Sequence, residues 1–333
     1  MAMPGAKGWQ GTMLVALKLL ISVGLLAFLI GRINFESLRQ ALSHASPRGL
    51  ATAGGLLIFS NVLGSYQWNR LLRAVQIHIP FWKVCAYYHV GLFFNNFLPA
   101  NVGGDLARIW DASRYSPSRA AAVSTVLLDR MIGTVALATL ALVTTLPAID
   151  RFHLTLAYLA LVAFFAVSVS LLWAVFHPAW LGPAERVLGA FGLGRLKPHL
   201  DDLSQRLAAF RGQRRLFIEL LVVASLTQVS RIFVHVLVAR ALGIQVALPY
   251  FFLFVPLLAV IVSLPISMNG IGVREGAGIV LFGLVGVSRA NAFTLQFTTY
   301  LIAVCVSLLG GLIYLARIPR RRAEARQLGG RQG

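Results

Sequence analysis

Long apolar segments without charged residues constrain this chain more than any other feature. Residues Leu154–Phe176 and Ala290–Ala316 contain no Asp, Glu, Lys or Arg, and neither does Gly49–Trp68. The hydrocarbon core of a bilayer is about 30 Å thick, and a helix needs roughly 20 mostly apolar residues to cross it. Only 12% of the residues are charged, against about 25% in soluble domains. The sequence therefore predicts an all-α polytopic membrane protein.

Six crossing helices are predicted. They are expected near residues 13–31, 49–68, 120–147, 154–176, 217–241 and 290–316. The first is interpreted as an uncleaved helix rather than a signal peptide, because no cleavage pattern of small residues follows it.

Two further apolar segments, 84–116 and 251–286, are each interrupted near the middle by Pro and Gly. The breaks contain Pro99, Gly103 and Gly104 in the first segment, and Pro265, Gly270 and Gly272 in the second. Proline removes a backbone donor and glycine frees φ, so neither segment is expected to form one straight helix. Each arm of roughly 13–16 residues would reach about 20–24 Å, short of the hydrocarbon core. We predict two re-entrant hairpins, with full crossings as the alternative, and hence 8–10 helical membrane segments.

The distribution of positive charge predicts the topology. If the amino terminus is inside, the loops on that side hold 19 of the 30 Lys and Arg residues, and the opposite loops hold six. Membrane proteins concentrate Lys and Arg in cytoplasmic loops, so both termini are predicted to be cytoplasmic. The net charge of +19 is thereby explained without nucleic-acid binding. The cytoplasmic part would include an amphipathic loop, 177–216, and a basic tail, 317–333.

The two broken segments resemble each other. Adding 166 to the first break gives the second, since Leu98-Pro99 corresponds to Leu264-Pro265 and Arg108 to Arg274. Residues 73–77 resemble 240–244, and residues 118–120 resemble 288–290. We predict one membrane domain, 1–316, with repeat halves 49–147 and 217–316. The single crossing 154–176 lies between the halves and would invert the second in the membrane, as in many transporters.

Ionisable side chains inside apolar segments are costly, so they usually face a cavity or a partner. The predicted site is a cationic chamber in which arginines bind a phosphate or another anionic headgroup: Arg108, Arg130, Arg231 and Arg274. Polar residues near them would support the site: Asn95, Asn96, Asn101, Asp105, Asp129, Asn269, Glu275 and Tyr300. The alternative is that the acids pair with arginines for structural reasons only, and that the asparagines cap the hairpin arms.

Catalytic and cofactor motifs are absent from the sequence. It has no H-E-x-x-H, no G-x-S-x-G and no Walker P-loop. The two cysteines, Cys85 and Cys305, both lie in apolar stretches and form no metal-ligand pattern. We therefore expect no enzyme activity, no cofactor and no metal.

Three motifs carry a resemblance to a known family. They are Asn95-Asn96-Phe97-Leu98-Pro99-x-x-x-Gly103-Gly104-Asp105-x-x-Arg108, Leu128-Asp129-Arg130 and Pro265-x-Ser267-x-Asn269-Gly270-Ile271-Gly272-x-Arg274-Glu275. They resemble the lysylphosphatidylglycerol synthase transmembrane-region family, also called flippase-like or UPF0104. The resemblance implies a membrane module related to the flippase half of the multiple peptide resistance factor, which moves an aminoacylated phospholipid between leaflets. Only about 17 residues follow Ala316, so the aminoacyl-transferase activity of the full synthase is not expected.

Three functions are consistent with these features. The first is a translocase for an anionic phospholipid or a lipid-linked glycan, with membrane lipids as its partners. The second is a membrane partner of a separate lipid-modifying enzyme, such as a glycosyltransferase, with loop 177–216 as the docking surface. The third is a transporter of a soluble anion.

Overall fold

The computed structural model describes residues 43, 45–97, 103–116, 118–176, 202, 205–207, 210–264 and 270–329, and these contain helices but no strands. We number the helices in chain order, leaving a short helical turn after α4 without a number. They are α1 (Pro47–Ala74), α2 (Phe81–Phe97), α3 (Gly103–Ser113), α4 (Arg119–Thr145), α5 (Thr155–Phe176), α6 (Arg214–Ala241), α7 (Leu248–Ser263), α8 (Val273–Gly283) and α9 (Arg289–Gly329).

Five of these helices are long and apolar enough to cross a membrane: α1, α4, α5, α6 and α9. Each coincides with a crossing helix predicted from the sequence, which confirms the all-α polytopic fold. The sixth predicted crossing, 13–31, lies outside the described residues. Helix α5 has the highest mean hydropathy of the five, at 2.3, and only 11% of its most apolar window is buried inside the protein. Its apolar side chains therefore need an apolar solvent, which a bilayer supplies.

Each broken segment contains a longer arm followed by a shorter one. Helices α2 and α3 have 17 and 11 residues, and helices α7 and α8 have 16 and 11. At 1.5 Å per residue the longer arms reach about 25 Å and the shorter ones about 16 Å. The break residues Pro99, Asn101, Pro265 and Asn269 lie outside the described residues, so the choice between re-entrant and fully crossing arms stays a prediction.

The two halves end their first long helix in the same way. After α1, Gln76 has φ 61°, and the Ile77 N–H donates to the Leu72 carbonyl at 2.9 Å. After α6, Gly243 has φ 69°, and the Ile244 N–H donates to the Ala239 carbonyl at 2.8 Å. Both ends have the left-handed residue and the six-to-one hydrogen bond of a Schellman motif. The sequence similarity between 73–77 and 240–244 is therefore a shared helix C-cap.

The helices that follow each hairpin also begin alike. The Ser118 hydroxyl accepts a hydrogen bond from the Ala121 N–H at the start of α4, and the Ser288 hydroxyl accepts one from the Asn291 N–H at the start of α9. Such side-chain acceptors satisfy donors that have no partner within the helix. Packing is reciprocal as well, since α2 of the first half contacts α9 and α7 of the second half contacts α4. These matched features favour the predicted repeat.

Helices α1 and α6, the matching long helices of the two halves, lie antiparallel. The Ser46 N–H at the start of α1 donates to the Ala241 carbonyl at the end of α6, at 2.8 Å. At the other ends, Arg70 of α1 makes two hydrogen bonds of 2.7 Å with the Glu219 carboxylate of α6. Antiparallel packing of repeat-related crossing helices is what an inverted repeat requires, although the orientation of the halves in a membrane stays a prediction.

Two side chains of the predicted amphipathic loop pack into the helix bundle. Leu207 and Phe210 are 2% and 0% exposed, and they belong to an apolar cluster with Leu71, Leu128 and Leu220 of helices α1, α4 and α6. Asp202 accepts a hydrogen bond from the Ser118 hydroxyl at 2.8 Å. At Leu207 and Phe210 the apolar face of this loop therefore meets protein.

Candidate functional site

A buried ion pair joins the second arm of the first hairpin to the following helix. Arg108 on α3 donates from Nη2 to Oδ2 of Asp129 on α4, at 2.7 Å, and both side chains are 8% exposed. The Gln67 amide of α1 donates to Oδ1 of Asp129 at 2.8 Å, so both carboxylate oxygens have a partner. A charge-assisted pair with its remaining lone pairs satisfied is the form in which a buried carboxylate is tolerated.

Two aromatic rings lie against the Arg108 guanidinium. Its central carbon lies 4.3 Å from the ring centroid of Trp68 and 4.8 Å from that of Tyr88. The Trp68 indole N–H is itself anchored on the Thr125 hydroxyl at 3.1 Å. Planar guanidinium groups stack favourably on aromatic faces, so Arg108 is fixed in place on several sides.

A second ion pair lies beside the first. Asp105, in the first turn of α3, pairs with the Arg130 guanidinium of α4. Its distance to Arg108, three residues further along α3, is 3.9 Å, at the limit of an ion pair. The helix amino terminus also favours a carboxylate at this position. Asp105 therefore pairs across helices with Arg130, and Asp129 does so with Arg108, rather than each acid serving its neighbour in sequence.

These residues line a polar cavity of about 280 Å³ between the first hairpin and helices α1, α4 and α6. Besides the two ion pairs its wall includes Asn95, Gln67, Thr134, Gln228 and Arg231. Arg130 lies eleven residues into α4, and Arg231 lies ten residues before the end of α6. At 1.5 Å per residue those positions are about 15–17 Å from a helix end, near the middle of a core of about 30 Å.

Arg231 differs from the other two arginines of the cavity. Arg108 and Arg130 each pair with a carboxylate, whereas none of the acids in the described part of the chain lies within ion-pair distance of Arg231. The side chain of Arg130 is 50% exposed, against 8% for Arg108. Arg108 is thus a fixed part of the wall, while Arg130 and Arg231 are the cations that an entering anion could reach.

Two glycines bring the hairpin arms into backbone contact. A Cβ added to Gly104 would overlap the Gly91 carbonyl oxygen of the neighbouring arm, and one added to Gly91 would lie 3.0 Å from the Gly104 carbonyl oxygen. The Asn95 side chain accepts a hydrogen bond of 2.8 Å from the Gly104 N–H. Asn95 therefore caps the second arm and also lines the cavity. Asn96, its neighbour, is partly buried, and Gly103 begins the second arm.

The second hairpin carries a separate polar cluster. Arg274 of α8 lies over the Tyr300 ring of α9, 4.5 Å from its centroid. The Glu275 carboxylate, 1% exposed, accepts a 2.7 Å hydrogen bond from the Gly272 N–H and so caps the start of α8. Gly270 and Gly272 both have positive φ, as expected of a break. Arg274 is not among the residues that line the first cavity, so three of the four predicted arginines share a site and the fourth does not.

Comparison with known proteins identifies the family of this chain. The model of the lysylphosphatidylglycerol synthase transmembrane region matches residues 15–325. The chain belongs to this family. It is also similar to a UPF0104 membrane protein of Pyrococcus horikoshii, with 23% identity over 321 residues, covering 90% of this chain and 96% of that protein.

The family match confirms the resemblance drawn from the three motifs. Two of the motifs supply the ion-paired part of the cavity, since the first contains Asp105 and Arg108 and the second contains Asp129 and Arg130. The third motif forms the start of α8. In this member of the family the motifs therefore build the two hairpins and the helix that follows the first one.

The cavity wall also contains residues that the sequence did not single out, among them Gln67, Tyr88 and Gly91. The segment 49–68 contains no charged residue. Its polar residues were a usable signal, because Asn61, Ser65 and Gln67 are all buried in an otherwise apolar helix. Polar residues in a membrane helix usually face the protein interior or a cavity.

Proposed function

We propose that the protein moves an anionic lipid headgroup between the two leaflets of a membrane. The observation that carries this proposal is Arg231, a cation without a described acidic partner in the wall of a polar cavity near mid-helix depth. Arg231 is partly exposed. A charge at membrane depth is costly without a partner, and a phosphate group would relieve that cost through charge-assisted hydrogen bonds. The half-exposed Arg130 lines the same cavity.

The broken helices favour a transport function over a role as a membrane partner of another enzyme. The cavity lies against a hairpin whose two arms are 17 and 11 residues long. Irregular backbone at membrane depth is tolerated where protein or a polar cavity satisfies its donors and acceptors. Transporters commonly place their binding sites at such broken helices, between repeats that are inverted in the membrane. The antiparallel packing of α1 and α6 is consistent with this arrangement.

The family name adds a lipid context. It describes the transmembrane region of a synthase whose named product is a phospholipid. We extend to this chain only the general idea that its cargo is a membrane lipid, in a bacterial inner membrane with both termini in the cytoplasm. Aminoacyl transfer is not part of the proposal, and we expect no enzyme activity.

Reconstitution into liposomes tests the proposal. The protein is purified and placed in vesicles that contain a chain-labelled fluorescent phosphatidylglycerol. An external quencher should then reach label from the inner leaflet faster than it does in vesicles without protein. The same vesicles loaded with labelled soluble phosphate would release it if the cargo were a soluble anion. Failure to exceed empty vesicles with any lipid would refute the translocase and leave the role of a membrane partner for a lipid-modifying enzyme.

A further inference from the structure

The charges that line the cavity do not cancel. Of the described residues in its wall, three are arginines (Arg108, Arg130 and Arg231) and two are aspartates (Asp105 and Asp129). The remaining residues of the wall carry no formal charge. Three positive and two negative groups leave a formal charge of +1.

The ion pairs assign that excess charge to one residue. Asp129 neutralises Arg108 and Asp105 neutralises Arg130, so the residual positive charge lies on Arg231. Arg231 is on α6, whereas the four paired residues are on α3 and α4. An entering group therefore meets two neutral pairs on one side and a single cation on the other.

We infer that the cavity selects headgroups with one net negative charge, that is, phosphodiester monoanions with an uncharged substituent. This inference rests on the proposed function and names its class of cargo. A monoanion brings the occupied cavity to neutrality. A zwitterionic headgroup leaves one uncompensated positive charge and a cationic headgroup leaves two, and charges without partners are disfavoured at membrane depth.

The size of the cavity is suited to a small headgroup. It holds about 280 Å³, and a water molecule takes about 30 Å³ of liquid volume. That space accommodates a phosphate with a small polyol such as glycerol. The uncharged polar wall, with Asn95, Thr134 and Gln228, offers hydrogen-bond partners for hydroxyl groups.

The preference for headgroups with one net negative charge is called the charge rule below. A binding measurement tests it independently of transport. Dihexanoyl phosphatidylglycerol should raise the thermal unfolding temperature of the purified protein. Its apparent affinity should exceed that of dihexanoyl phosphatidylcholine at least about tenfold, because an uncompensated charge at membrane depth costs more than a factor of ten. Glycerophosphoglycerol, the same headgroup without acyl chains, separates a lipid site from a site for a free phosphodiester. Equal binding with and without the chains would overturn the lipid assignment.

Variants of Arg231 separate charge from shape. Arg231→Gln makes the cavity formally neutral and should abolish the preference for phosphatidylglycerol, whereas Arg231→Lys keeps +1 and should retain it. Arg240→Gln, an exposed arginine near the end of the same helix, should behave as wild type. Equal affinity of the wild-type protein for both lipids would overturn the charge rule even if lipid exchange is observed. Selective binding without any exchange would instead refute the translocase and leave the charge rule standing.

Discussion

The Ser60 hydroxyl donates a 3.4 Å hydrogen bond to the carbonyl of Thr227, the residue 167 positions further along the chain. The same offset of 167 relates the C-caps at Gln76 and Gly243. In the predicted repeat Ser60 and Thr227 are therefore corresponding residues, and they touch each other. Corresponding positions touch each other where they lie beside a two-fold axis, because the two halves then meet through the same surface. The axis would pass between α1 and α6, beside the cavity that includes Thr227.

The Arg108–Asp129 pair should be essential for stability. Arg108→Ala leaves a buried carboxylate without its cation, and we expect the free energy of unfolding to fall by about 3–5 kcal/mol. Unfolding in detergent micelles measures the change. The exposed Arg206–Asp202 pair is a matched control, and Arg206→Ala should cost less than about 1 kcal/mol. Similar losses for the two variants would show that the buried pair is not a structural anchor.

The close contact of the hairpin arms should not tolerate a methyl group. Gly104→Ala places a Cβ against the Gly91 carbonyl oxygen and the Asn95 side chain, so the arms must separate. We expect a loss of about 1–3 kcal/mol in the free energy of unfolding, as for other overpacked sites. Gly55→Ala is the control, because a Cβ there meets nothing within 4 Å. In mid-helix this change should stabilise by up to about 1 kcal/mol.

The C-cap of α1 contains a residue with an unfavourable backbone. Gln76 has φ 61°, and the corresponding residue after α6 is Gly243. Gln76→Gly should raise the free energy of unfolding by about 1 kcal/mol, since a left-handed conformation costs a residue with a Cβ about that much. Gly243→Ala should lower it by a similar amount. Thermal unfolding of the two variants should thus shift in opposite directions, and shifts of equal sign would contradict the shared C-cap.

Docking of the loop before α6 depends on Phe210. Its side chain is fully buried in the cluster with Leu71, Leu128 and Leu220. Phe210→Ala should reduce the free energy of unfolding by about 3–5 kcal/mol, as for other buried phenylalanines. Ile218→Ala, at a side chain that is 53% exposed, serves as the control and should change stability little. If Phe210→Ala behaves like the control, the loop is not part of the folded bundle.

Helix positions followed from the sequence because they depend on local composition. Charge-free stretches predicted α5 and α9, and Pro and Gly predicted where each hairpin breaks. The internal match between 118–120 and 288–290 also had a local cause, since Ser118 and Ser288 both cap helices.

Pairing within the site did not follow from the sequence. The partner of Asp129 is Arg108, 21 residues earlier, and not the adjacent Arg130. That choice depends on how α3 and α4 pack against each other. For the same reason sequence spacing could not show that Arg274 lies over Tyr300 instead of in the cavity of the other three arginines.

Lipid exchange by Arg231→Gln is the most direct test of the account, because the proposal depends on that one cation. Proteoliposomes of the variant and of the control Arg240→Gln should be compared at equal protein density, with labelled phosphatidylglycerol. We predict that the control exchanges the lipid at the wild-type rate and that Arg231→Gln is slower by at least about tenfold, equivalent to about 1.4 kcal/mol. Wild-type exchange by Arg231→Gln would contradict the account.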